Sequence, residues 1–96
     1  MEEVIFVEDV QTGNFNEIKK LTISSKNLMI FQNTQNIISC FKKLQLIKHI
    51  NTLKFVMIDF EKESAAISLI ELIMKVKIKT LIFEYCNIKI CCVYEF

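Results

Sequence analysis

The sequence has no proline and no arginine, and only one glycine, Gly13, and one histidine, His49. Each shortage removes a function class. Without arginine the chain lacks the planar fork that reads phosphate and guanine bidentately, so direct base readout is not expected. A single glycine cannot build a phosphate cradle of the P-loop or dinucleotide type. With one imidazole, a nucleophilic triad has no choice of base, and His49 reads as a solvent-facing residue near a helix end. Four cysteines are present, Cys40, Cys86, Cys91 and Cys92, but none are spaced C-x-x-C, so no zinc or other metal site is expected and the thiols read as small packed groups. The adjacent Cys91 and Cys92 are poorly placed for a mutual disulfide, and no redox role is assigned to them.

Charge of either sign is also in short supply. Twelve lysines against 11 acidic residues leave a formal charge of +1, which gives no electrostatic footprint for a free-standing nucleic-acid binder. Abundant isoleucine, lysine and asparagine with almost no glycine or proline is the bias of an AT-rich genome rather than of a chemistry. The longest uncharged stretch, Asn27 to Phe41, is too short and too polar to span a bilayer. The opening Met1-Glu2-Glu3 is unlike the basic start of a secretory leader, which predicts a cytoplasmic protein.

What the chain has is apolar residues, 52% of it, with a mean hydropathy of +0.35, and that supply excludes intrinsic disorder. At 96 residues it predicts one domain spanning 1–96. A chain this short hides only about 60–65% of its unfolded surface, so the apolar excess points to a protein partner or a large complex.

Val4 to Val7 reads as a strand, followed by a turn around Thr12-Gly13-Asn14 and a second strand from Ile18 to Ile23. The short gap predicts an antiparallel hairpin forming an N-terminal cap. From Thr34, taken as N-cap, Ile37, Ile38, Phe41, Leu44 and Ile47 recur at helical spacing. Leu53 to Phe60 is a compact apolar run, read as a strand buried on both faces. Ser64 is placed to cap a second helix with Ile67, Leu69, Ile70, Leu72, Ile73 and Val76 inward and Ser68, Glu71 and Lys75 as its wet stripe. Ile78 to Tyr85 gives a further strand, and Ile88 to Phe96 alternates loosely in β fashion. The fold class is therefore α/β.

Three segments share one pattern. They are Ile18-x-x-Leu21-x-Ile23-x-x-Lys26-x-Leu28, Ile50-x-x-Leu53-x-Phe55-x-x-Ile58-x-Phe60 and Ile78-x-x-Leu81-x-Phe83-x-x-Cys86-x-Ile88. Residues 18–88 thus resemble the leucine-rich repeat family, in particular its helix-containing type as in ribonuclease inhibitor. The resemblance implies a short solenoid of parallel strands with helices on one side. It also implies that the residue before the last apolar position bonds the turning backbone, a place that Cys86 fits and that Lys26 and Ile58 do not. The element order is also similar, more weakly, to a STAS domain, through Phe55-Val56-Met57-Ile58-Asp59-Phe60. The following Glu61-Lys62-Glu63-Ser64 lacks that family's phosphoacceptor setting.

On the repeat reading, Thr22, Ser24, Lys54, Val56, Ile82 and Glu84 face outward on the concave strands, with Met57 and Tyr85 at the rim. Exposed apolar groups of this kind mark interfaces. Paired carboxylates at Glu8-Asp9 and Glu61-Glu63 read as solubilising groups in turns. The expectation is a non-catalytic interaction module with no cofactor, no small-molecule substrate and no membrane. Its docking elements would be those strands and the C-terminal segment. Alternatives are a small structural subunit of a large assembly such as a ribosome, where nucleic acid would be met only within the assembly, and a STAS-like regulatory domain.

Overall fold

The computed structural model describes residues 2–9 and 19–88. Four strands, β1 (Glu2–Phe6), β2 (Lys20–Ser24), β3 (His49–Val56) and β5 (Lys77–Glu84), form one sheet in the order β1-β2-β3-β5, and every neighbouring pair is parallel. Two helices, α1 (Thr34–Leu44) and α2 (Glu63–Lys75), follow β2 and β3, and the two-residue strands β4 (Asp59–Phe60) and β6 (Asn87–Ile88) pair separately, again in parallel. The α/β class is what the periodicity predicts, and parallel pairing of β2, β3 and β5 is what the repeat resemblance implies.

Register follows the sequence pattern closely. Leu21, Leu53 and Leu81 align across three strands, and the next inward row is Ile5, Ile23, Phe55 and Phe83. Because successive side chains point to opposite faces, these rows share one side of the sheet. The helices cover that side: Ile37, Phe41 and Leu44 of α1 and Leu69 and Leu72 of α2 join Leu21, Ile23, Leu53 and Phe55 in one buried cluster. At its centre Phe41 lies 5.3 Å from Phe55 and 5.9 Å from Phe60, while Phe55 stacks on Phe83 at 5.4 Å. Each aromatic contact adds about 0.5–1.5 kcal/mol beyond area burial.

Several expectations change. β1 and β2 pair in parallel, so there is no antiparallel hairpin cap. With the strands ending at Phe6 and starting at Lys20, residues 7–19 separate them, long enough for a crossover that lets Ile5 join Ile23 in the core row. The described residues span 32 × 31 × 20 Å, so they do not extend as a solenoid. The run Leu53 to Phe60 is two strands, broken at Met57, whose φ of 55° turns the chain out of β3. Nor is that run buried on both faces, for Lys54 and Val56 are only half-buried. Asn33 rather than Thr34 caps α1, its side chain accepting from the Gln35 amide at 2.9 Å, and α2 starts from Lys62 with no side-chain cap, so Ser64 does not serve. Ile47 is buried, though beyond the end of α1. Along α2 the faces differ from the helical-wheel expectation: Ser68 is buried while Ile67 is exposed. Gly13, Cys91, Cys92 and the segment beyond Ile88 lie outside the described residues.

Candidate interaction face

The side of the sheet away from the helices carries the alternate residues. Val4, Thr22, Lys54 and Ile82 are consecutive register partners, so one row crosses all four strands. Beside it, Phe6 aligns with Ser24 and Val56 with Glu84. All six residues expected on this face, Thr22, Ser24, Lys54, Val56, Ile82 and Glu84, are brought together there, and each is half-buried rather than covered. Met57 and Tyr85 stand at the C-terminal rim and are both exposed, Tyr85 at 82%. Sequence reasoning missed Val4 and Phe6 because it set β1 aside as a cap. The signal was the alternation of Val4, Ile5 and Phe6, which matches β2 once the pairing is parallel.

An ion pair crosses the face from Lys54 Nζ to Glu84 Oε1 at 2.9 Å. Both ends still reach water, so its contribution is about 0–1 kcal/mol and it orients side chains more than it stabilises the fold. At the β1 edge, Lys26 Nζ sits 2.6 Å from Asp9 and 5.7 Å from the centre of the Phe6 ring.

The rim is built by two equivalent turns. Met57 and Tyr85, each one residue past the end of its strand, both have φ of 55°, a left-handed conformation that disfavours side chains with a Cβ. Hydrogen bonds hold them. The Gln32 side-chain amide donates to Met57 O at 2.7 Å, and its oxygen accepts from the Asp59 amide at 2.9 Å. The Met57 amide donates to Glu84 O at 2.9 Å. The Cys86 thiol donates to Phe55 O at 3.4 Å and Glu84 O at 3.5 Å, so this residue does bond the turning backbone. Nothing in the repeat pattern pointed to Gln32, which directly follows the short helical turn Met29–Phe31 before α1.

Chemistry on these residues is sparse. Burial pushes the Cys40 thiol up to about 12, which leaves it protonated and inert at neutral pH. Burial also raises Cys86, with backbone contacts pulling the other way. His49 opens β3 rather than ending a helix, and it is exposed. Glu8 is not merely solubilising: it accepts from Ser25 Oγ at 2.6 Å and from the Lys26 amide at 2.5 Å, closing the turn after β2. Glu61 faces Asn87 Nδ2 at 3.5 Å, and Glu63 opens α2. Ser64 is exposed, whereas Ser68, 4% exposed, has a buried hydroxyl with no partner among the described residues. No cluster of potential metal ligands occurs among the described residues. No described helix is long and apolar enough to cross a membrane. No family model, curated protein or solved structure matches the chain.

Proposed function

We propose that this protein is a non-catalytic interaction module, a minimal leucine-rich-repeat-like unit that docks on a protein partner through the uncovered face of its sheet. The observation that carries this reading is the row Val4, Thr22, Lys54 and Ile82 with Val56 and Glu84 beside it, on which no described helix packs, α1 and α2 both lying on the opposite side. Such a surface mixes aliphatic side chains with hydrogen-bonding groups and one ion pair, the composition of an interface with a polar rim. Its strands are held in register by the core, so the face is preorganised and loses little entropy on docking.

The two left-handed turns, 28 residues apart in sequence, support the repeat reading, since each strand leaves the sheet the same way.

The experiment is the double substitution Val56→Asp and Ile82→Asp. Both side chains point away from the core, so far-ultraviolet dichroism stays as in the unaltered protein. Complex formation with partners recovered from the native source is lost. Retention of those partners by a folded double variant rejects the sheet face as the docking surface.

A further inference from the structure

Among the described residues the sheet has two unlike edges. At the β1 edge the leucine row ends in Glu3, an exposed acid that stops the apolar pattern. At the β5 edge the pattern runs on to the last strand: Ile78, Leu81 and Phe83 stand at the register positions of Ile50, Leu53 and Phe55. Yet these three stay only partly buried, while their partners in β3 are fully buried. α1 packs against one flank of α2, and the other flank leaves Met74 78% exposed and Ile73 half-covered.

Between that flank and the first half of β5 lies a groove of about 630 Å³. Its apolar lining is Ile73, Met74, Val76, Ile78 and Leu81. Lys48, Lys75, Lys77 and Lys79 also line it, the Lys75 ammonium donating to Gln45 Oε1 at 3.2 Å, and no carboxylate does. An aliphatic trough lined by Lys48, Lys77 and Lys79, with no carboxylate, makes a two-part demand: an apolar stripe for the trough and negative charge beside it. We propose that this groove, a second surface distinct from the open sheet face, binds an acid-rich amphipathic segment of a protein partner.

The chemistry selects against other occupants. Single-stranded nucleic acid would find phosphate partners but no aromatic or guanidinium plane to stack on, since the lining has neither. Strand addition along β5 is opposed by the lysines at 77 and 79, the usual guard on an edge strand. The chain's own residues 89–96, Lys-Ile-Cys-Cys-Val-Tyr-Glu-Phe, carry one acidic side chain against one lysine and do not answer those lysines. An amphipathic helix with apolar residues at i, i+3, i+4 and i+7 and glutamates beside them answers both halves.

The test uses synthetic peptides of about 15 residues, long enough for a helix to form on binding. One carries a leucine stripe flanked by glutamates, the second scrambles that order, and the third replaces each glutamate with lysine. Binding to the full chain is read by fluorescence anisotropy at low and high salt, beside a uridine-rich RNA. The striped acidic peptide binds, and weakens as salt rises. Lys77→Glu with Lys79→Glu lowers its affinity about tenfold or more, whereas Lys42→Glu with Lys62→Glu, away from the groove, does not. All four lysines are exposed, so dichroism confirms that both double variants fold. Equal binding of the scrambled or basic peptide, preference for the RNA, or an unchanged affinity in the groove variant overturns the proposal. So does binding that appears only when the chain is cut after Ile88, which would make residues 89–96 the occupant.

Discussion

β3 and β5 make a controlled comparison within one molecule. Each has eight residues, and their inward side chains are matched at Leu53 and Leu81 and at Phe55 and Phe83. Leu53 and Phe55 are completely buried, however, while Leu81 and Phe83 keep part of their surface in water. The side chains are the same, and what differs is the number of neighbours: β3 has a strand on each side, whereas β5 pairs only with β3 among the described residues of this sheet. Burial here is a property of position in the stack rather than of residue type.

The comparison breaks most visibly by truncation. Phe55→Ala removes a ring that touches Phe41, Phe60 and Phe83 and should cost about 3–5 kcal/mol, enough to leave so small a domain largely unfolded. Phe83→Ala at the edge should cost about half of that, because part of the ring is already in water. Urea denaturation of the two variants gives the difference directly, and equal losses would mean that β5 is as enclosed as β3.

A pH series separates the two environments next. Cys40 lies in the core with its thiol pushed up to about 12, whereas in the unfolded chain it ionises near 9.0. Below that lower value both states hold the proton and the group leaves stability unchanged. Above it the unfolded state loses the proton first, so stability falls as pH rises, by about 1.4 kcal/mol per pH unit from this group, until the folded thiol also ionises. Cys40→Ala should flatten that alkaline slope, measured as midpoint against pH. Cys86, nearer the edge and raised in the same direction, should be alkylated well before Cys40 when both are followed by peptide mass spectrometry.

The turns offer a smaller effect. Met57 and Tyr85 share the same left-handed φ, but Met57 is held by Gln32 and Tyr85 is not. Tyr85→Gly should stabilise the fold by up to about 1 kcal/mol by relieving the strained Cβ. Gln32→Ala should destabilise it by about 1–2 kcal/mol through the turn at Met57. Thermal melts of the pair test whether the two turns are equivalent in strain as well as in geometry. The Lys54–Glu84 pair lies at the bottom of the scale, and a double-mutant cycle should return a coupling below about 1 kcal/mol.

Much of this was legible in the residues. The helical spacing of Ile37, Phe41 and Leu44 marks α1, and the spacing of Leu69, Leu72 and Val76 marks α2. The aligned leucines mark the shared register, and the outward set from Thr22 to Glu84 follows from alternation alone. The direction of β1, the break at Met57 and the burial of Ser68 were not legible. Each depends on what lies across the core rather than on near neighbours in sequence. Gln32 is the clearest case: a polar residue in a polar stretch gives no local sign that its amide will close a turn 25 residues away.

By itself the sequence determined which residues are apolar and at what period. That suffices to set helices against strands and to choose the face each one buries, because side-chain direction follows backbone geometry. Tertiary structure alone decided which strand neighbours which, in what direction, and where the stack stops. Those outcomes rest on contacts between distant segments, whose free energy exists only once the segments have met.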